Sequence, residues 1–354
     1  MKILNKPATL ATFDPAVVNS MSVYTTITHD DLKAFLTQYA VGDLVDFRGI
    51  SEGIDNTNYF VTTRQHSLPD ALATQPTQDF VLTIFERLPA EQLPYFLNLL
   101  QHLSQHHFAC AKPILDQEGQ ILQSLLAKPA AMVERLPGQT VTTITESQCA
   151  DIGQALAELH IAGQSYSAKQ VNRRGLAWCQ ATAQALEHHL PTVLQAQVTE
   201  ELAVQLRLDR QALPVGTIHG DLFHDNALYD GTKFSGIIDF YFACHDILLY
   251  DLAVTINDWC KQPDQPAMLD QIRLTKLLQA YHARRPITAT EQTAFTTLLR
   301  GAALSWWLSR LYDQHFPRDG ELTLIKDPQV FETILTDRIQ QADTYQAWLQ
   351  QALS

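Results

Sequence analysis

Asp221 and Asn226 stand five residues apart in the run Ile218-His219-Gly220-Asp221-Leu222-Phe223-His224-Asp225-Asn226. A further carboxylate, Asp239, closes the apolar run Gly236-Ile237-Ile238-Asp239-Phe240. An Asp followed at that interval by Asn, with a later Asp after a strand, is the order in which phosphoryl-transfer sites are assembled. The transition state of that reaction spreads negative charge over oxygens, so catalysis is mostly positioning and charge neutralisation. Asp221 would take the proton of the attacking hydroxyl, while Asn226 and Asp239 would hold Mg2+ on the phosphates of ATP. Magnesium wants hard oxygen ligands and keeps several waters, so one carboxylate and one amide suffice beside the phosphates. A lone Asp–Asn interval is an ordinary turn or cap, since both residues favour loops. The ordered set is more specific.

The flanks supply the geometry these residues need. Pro214 to Ile218 is a short apolar lead, Asn226 to Tyr229 reads as a strand, Asp230-Gly231 as a hairpin turn, and Phe234 to Phe240 as the partner strand. Such a hairpin brings Asn226 and Asp239 to one end of the ladder. His219 reads as a brace for the loop, and Asp251 as its buttress through hydrogen bonds.

Periodicity organises the rest. A helix is expected from Asp31 to Tyr39, then strands at 44–50, 58–63 and 80–86, a helix at 93–103, and strands at 121–126 and 130–134. Leu136-Pro137-Gly138 punctuates the chain, and Thr145-Glu146-Ser147-Gln148 is a capping box. Helices fill 175–210 and 246–354. The expected fold is α+β and two-lobed, protein-kinase-like, with a small antiparallel-sheet N-lobe over 21–135 and a larger, mainly helical C-lobe over 136–354. Residues 1–20 read as an extension. ATP would lie in the cleft, its adenine against the backbone near Glu134 and Leu136. The turn containing Gly53 and Asn56 would cover the nucleotide.

Composition agrees with a globular chain: 354 residues, 46% hydrophobic and 18% charged. The net charge of −13 argues against nucleic acid and anionic lipid as partners. Five dispersed cysteines without C-x-x-C spacing read as free thiols of a reducing cytoplasm. No run has the length of a membrane span, and no apolar stretch of the length expected of a signal peptide follows Lys2 and Lys6.

The motifs together carry a resemblance. The chain resembles the aminoglycoside-phosphotransferase-like branch of the kinase superfamily, and within it the bacterial homoserine kinases. Gly49-Ile50-Ser51-Glu52-Gly53, Asn56-Thr57-Asn58-Tyr59, Phe80-Val81-Leu82-Thr83, the catalytic run, Ile238-Asp239-Phe240-Tyr241 and Asp251 to Cys260 carry it. So does Trp306-Trp307-Leu308-Ser309-Arg310-Leu311-Tyr312. The resemblance implies transfer of the ATP γ-phosphate to the side-chain hydroxyl of L-homoserine, a step toward threonine, with Mg2+ and in the cytoplasm. Oligomeric state stays open. Homoserine is zwitterionic, so Asn257 and Asp258 are expected to meet its ammonium and Arg310 its carboxylate. Arg173-Arg174 reads as a solvated pair in a turn. Kinases of this superfamily usually carry a Lys on the third strand; here Thr83 stands in its place, a neutral donor toward the phosphates. Two other readings remain: a phosphotransferase for an aminoglycoside or choline-like alcohol, and a nucleotide-binding module without activity.

Overall fold

A computed structural model describes residues 25–50, 56–65, 76–317 and 326–354. They divide into two units. The smaller takes the chain up to Leu88 together with Gln123–Ala131, and the larger takes Pro89–Leu122 with Met132–Ser354. The helix expected at 93–103 and the segment after it to Leu122 fall in the larger unit. The proposed extension 1–20 and Gly53 lie outside the described residues.

In the smaller unit, α1 (His29–Leu36) starts at Thr28, whose hydroxyl and the Asp31 carboxylate cap each other's backbone N–H. Its apolar face buries Leu32, Phe35 and Leu36. Strands β1 (Asp43–Ile50), β2 (Asn56–Arg64), β3 (Thr77–Phe85), β4 (Gln123–Leu125) and β5 (Lys128–Glu134), whose last three residues belong to the larger unit, form a sheet ordered β1-β2-β3-β5-β4. Alternation assigns its faces. Tyr59 lies opposite Leu82 and Val61 opposite Phe80, all buried, and the Tyr59 hydroxyl donates to the Thr25 carbonyl at 2.8 Å just ahead of α1. Asn58 lies opposite Thr83, and Asn56 opposite Phe85, so Asn56, Asn58 and Thr83 share the other face.

The larger unit contains α2 (Leu93–Gln105), β6 (Gln139–Thr140), α3 (Glu146–Gly163), α4 (Leu176–Leu186) and α5 (Thr192–Arg207). The site strands follow: β7 (Val215–Ile218), β8 (Ala227–Asp230), β9 (Lys233–Ile237) and β10 (Cys244–Ile247). Then come α6 (Leu248–Trp259), α7 (Gln271–Arg284), α8 (Ala289–His315), α9 (Gln329–Gln340) and α10 (Ala342–Leu353). The expected capping box forms at the start of α3, between Thr145 and Gln148. Every residue of α6 is buried. A helix apolar on nearly all sides belongs at the centre of a core, and α6 carries Asp251, Asn257 and Asp258 there. The expected hairpin is present as β8 and β9, with β6 added on the β8 side. A second antiparallel pair, β7 with β10, did not register as a strand pair in the sequence because four residues are too few to show a period.

All five cysteines are buried free thiols. Among the described residues, no helix is long and apolar enough to cross a membrane.

Candidate active site

The loop between β7 and β8 is held by its backbone. Asp251 on α6 is fully buried, and its two carboxylate oxygens accept the N–H groups of His219 and Gly220, each at 2.7 Å. Gly220 has φ +77, and a Cβ there would stand 2.9 Å from the Phe242 carbonyl oxygen, so glycine is required on both counts. The buried His219 ring faces the Ile238 carbonyl with Nε2 at 3.0 Å and accepts the Asp221 N–H at Nδ1, 3.2 Å away. A carbonyl can only accept and an N–H can only donate, so Nε2 carries the proton and the ring is neutral. Burial holds its pKa below the ordinary histidine value. His219 is a brace, not an acid or base.

Asp251 extends this support. His160 Nε2 lies 3.1 Å from its Oδ2, and His160 Nδ1 lies 2.7 Å from the Tyr281 hydroxyl. Arg285 donates to that hydroxyl at 3.0 Å and pairs with Glu291, the capping residue of α8. Burial alone would raise the Asp251 pKa, but His160 and the loop amides outweigh it and leave the carboxyl below its usual range.

The pairing Ala227↔Ile237, together with the Ile238 N–H donating to the Asn226 carbonyl at 3.0 Å, puts Asn226 and Asp239 at the same end of the hairpin. The Asn226 amide nitrogen donates to the Asp221 carbonyl at 2.8 Å. That pins the amide plane and turns Oδ1, its oxygen, the other way. Asp239 adopts φ 61, ψ 64, a left-handed conformation uncommon outside glycine. One amide oxygen and one carboxylate are hard donors that fit Mg2+. Among the described residues no group of three or more His, Cys, Asp or Glu gathers as a complete cage.

Burial pushes the Asp221 carboxyl well above its ordinary value, and Asp239 adds repulsion. Arg174 and Lys326 oppose the rise. Arg174 is thus close enough for its charge to reach the loop. Its guanidinium carbon sits 4.2 Å from the Phe242 ring centroid and 4.3 Å from that of Trp306. Of the pair Arg173-Arg174, read in the sequence as solvated, Arg173 is exposed and donates to the Tyr241 carbonyl, whereas Arg174 is half-buried and stacked between two rings.

Two of the three expected substrate residues are committed elsewhere. Asn257 donates to the Leu299 carbonyl at 2.9 Å and accepts from Arg338 Nε at 2.9 Å, buried in the core. Asp258, 2% exposed, accepts from His224 N–H and Nδ1 at 2.8 and 2.6 Å and from Lys261 at 2.6 Å. Burial would raise its pKa; His224 and Lys261 bring it down to about 2, and Asp258 in turn raises that of His224. Both are buried and held by these partners within the larger unit. Arg310 donates to the Asp327 carbonyl at 2.8 Å with its guanidinium carbon 4.6 Å from the Phe331 ring centroid.

Of the expected nucleotide residues, Thr83 donates to Asn58 Oδ1 at 2.8 Å, and Asn56 is buried on the same face. Lys128 does not replace the missing third-strand cation, because it pairs with Glu86. That carboxylate also accepts from Thr25 and Thr57, on the α1 side of the sheet. The Glu134 N–H donates to the Lys112 carbonyl at 2.8 Å, and Leu136 is half-buried.

Solved structures with this fold include an amicoumacin kinase in complex with AMP-PNP, Ca2+ and Ami. It has TM-score 0.62 and 16% identity, and the match covers 90% of this chain and 96% of that one. A spectinomycin phosphotransferase in complex with ADP and its antibiotic has TM-score 0.61 and 12% identity, covering 91% and 100%. At such identities they establish the protein-kinase-like phosphotransferase fold alone. Sequence relatives are nearer. A homoserine kinase of Methylobacillus flagellatus is 44% identical over 319 residues, 90% of this chain and 96% of its own. A homoserine kinase of Janthinobacterium sp. is 42% identical, covering 91% and 97%. Residues 46–287, which contain Asp221, Asn226 and Asp239, match the phosphotransferase enzyme family, and the chain belongs to that family.

Proposed function

We propose that this protein transfers the γ-phosphoryl group of ATP to the side-chain hydroxyl of L-homoserine. The observation that carries the reading is similarity to homoserine kinases over nearly their whole length in a chain whose loop and hairpin gather Asp221, Asn226 and Asp239. Asp221 orients the hydroxyl and accepts its proton late in the transfer. Asn226 and Asp239 are the residues that would hold Mg2+, which when bound neutralises phosphate charge. Asn56 and Thr83 keep a nucleotide-facing role in this reading, as does the backbone at Glu134 and Leu136. A neutral Thr83 donates one hydrogen bond and carries no charge, so the metal and the backbone bear more of the phosphate than a strand lysine would leave to them.

An ADP-release assay with L-homoserine, an aminoglycoside and choline as acceptors tests the proposal. Expected is Mg2+-dependent turnover with L-homoserine that falls at least about 10²–10⁴-fold in Asp221→Ala, with the fold retained by circular dichroism. Consumption of the aminoglycoside or choline with no turnover of L-homoserine overturns it. ATP turnover undiminished in Asp221→Ala removes Asp221 from its role.

A further inference from the structure

Trp259 ends α6 inside the core, fully buried, and its indole N–H donates to the Leu222 carbonyl at 3.2 Å. Leu222 directly follows Asp221, and its carbonyl belongs to the peptide that joins it to Phe223. The other polar group of the same peptide, the Phe223 N–H, donates to the Asp221 carbonyl at 2.8 Å. One peptide plane is thus held at both ends, by Trp259 on one side and by the backbone of Asp221 on the other. The Asp221 carbonyl accepts a second bond, from the Asn226 amide at 2.8 Å. The Asn226 N–H in turn donates to the Phe223 carbonyl at 3.0 Å. The Leu222–Phe223 peptide therefore links the proton acceptor to the amide that would hold the metal.

The indole has a fixed seat. Cys149 Sγ on α3 donates to the Trp259 carbonyl at 3.5 Å. The Asp270 N–H, ahead of α7, donates to the next carbonyl, that of Cys260, at 2.7 Å. An indole has one N–H and no acceptor, so the direction of its bond is set by how the ring packs. A carbonyl that loses its donor in the core is left unmet, and a peptide released at one end can turn. Packing by itself does not call for that N–H. Trp307 on α8 gives the contrast: its ring is as fully buried, and its Nε1 has no hydrogen-bond partner among the described residues.

We propose that Trp259 is a positioning residue for phosphoryl transfer, fixing through the Leu222 carbonyl the peptide plane that sets Asp221 against Asn226. It rests on the reading of Asp221 as the group that takes the proton of the hydroxyl. A fully buried ring offers no surface to either substrate, so Trp259 acts on the chemical step and not on binding.

The test sets Trp259→Phe beside Trp307→Phe in the full-length protein, because both lose a buried indole and only the first loses a hydrogen bond. The melting temperature is expected to fall in both. With Mg2+-ATP and L-homoserine, kcat falls about 10-fold in Trp259→Phe. The KM values for both substrates stay within about twofold, and Trp307→Phe keeps its kcat. Hydrogen exchange of the ligand-free protein, resolved by residue, supplies a readout apart from activity. The rate at Phe223 relative to His219 and Gly220, which Asp251 holds, rises about 10-fold in Trp259→Phe and is unchanged in Trp307→Phe. Taking the ratio removes any general loosening of the core. An unchanged kcat in Trp259→Phe overturns the assignment, and so does an equal fall of kcat in the two variants. Equal quickening at all three amides makes Trp259 a packing residue and overturns it too. The exchange measurement needs no substrate, so the two failures stay apart. Absence of L-homoserine turnover in the unaltered protein overturns the functional reading, whereas an unchanged ratio at Phe223 overturns the role of Trp259.

Discussion

Asp221 is held in a place that disfavours its own charge, because burial strips it of much of its hydration and Asp239 repels it. Its pKa in the folded chain is raised, so above the ordinary carboxylate range the native state carries a penalty that the unfolded chain does not. Removing the carboxylate removes the penalty. Asp221→Asn is therefore expected to raise the melting temperature of the ligand-free protein at pH 7, while abolishing turnover. The gain vanishes near pH 4 and below, where the carboxyl is protonated in both states. Thermal melts in chelator at the two pH values check the sign, and equal gains at both remove the charge explanation. Asp239 gives a complementary case. Asn tolerates the left-handed backbone there and Ala does not. Asp239→Asn should lose activity at nearly unchanged stability, whereas Asp239→Ala should lose activity and about 1–2 kcal/mol. Urea unfolding of the two variants side by side distinguishes backbone strain from chemistry.

Helix α6 shows how much an element can hide from a sequence reading. The hairpin of β8 and β9, its turn at Asp230-Gly231 and the capping box of α3 were all legible, because each is local: a turn dipeptide, an alternation, a cap and its partner three residues on. The polar end of α6 was not. Asn257-Asp258 after an apolar run looks like a helix end facing a ligand, but the helix is buried all round. Its partners arrive from far along the chain, Arg338 being 81 residues away from Asn257. Periodicity gives the face of a helix and never names what packs on it. The same blindness hid Arg174, whose partners Phe242 and Trp306 are distant in sequence. Asp258→Ala is expected to cost about 1–3 kcal/mol in urea unfolding, a range kept low because His224 and Lys261 retain contact with water. It should also lower kcat, since His224 lies inside the catalytic loop. A stable, fully active Asp258→Ala protein would remove Asp258 from the support of the loop.

For the whole molecule, acid is the informative perturbation. Asp251, Asp258 and Glu86 all have folded-state pKa values below their ordinary ones, Asp258 at about 2. A depressed carboxyl contributes stability above its unfolded value, and that contribution is lost as pH falls through the folded one. Stability should accordingly hold down to about pH 5 and fall steeply between roughly pH 4 and pH 2. Asp258→Asn should flatten part of that fall. His224 works in the opposite sense: its raised pKa supports the fold below the ordinary histidine value, and the support fades as pH climbs past the folded value. Melting curves across the full range read both limbs.

The two-pronged grip of Asp251 on consecutive backbone amides has one more consequence. Releasing either N–H to solvent strands a charge at the centre of the core, so the loop has no inexpensive way to breathe by itself. Deuterium should enter at His219 and Gly220 only as slowly as it enters the middle of α6, the loop and the helix opening as one cooperative block.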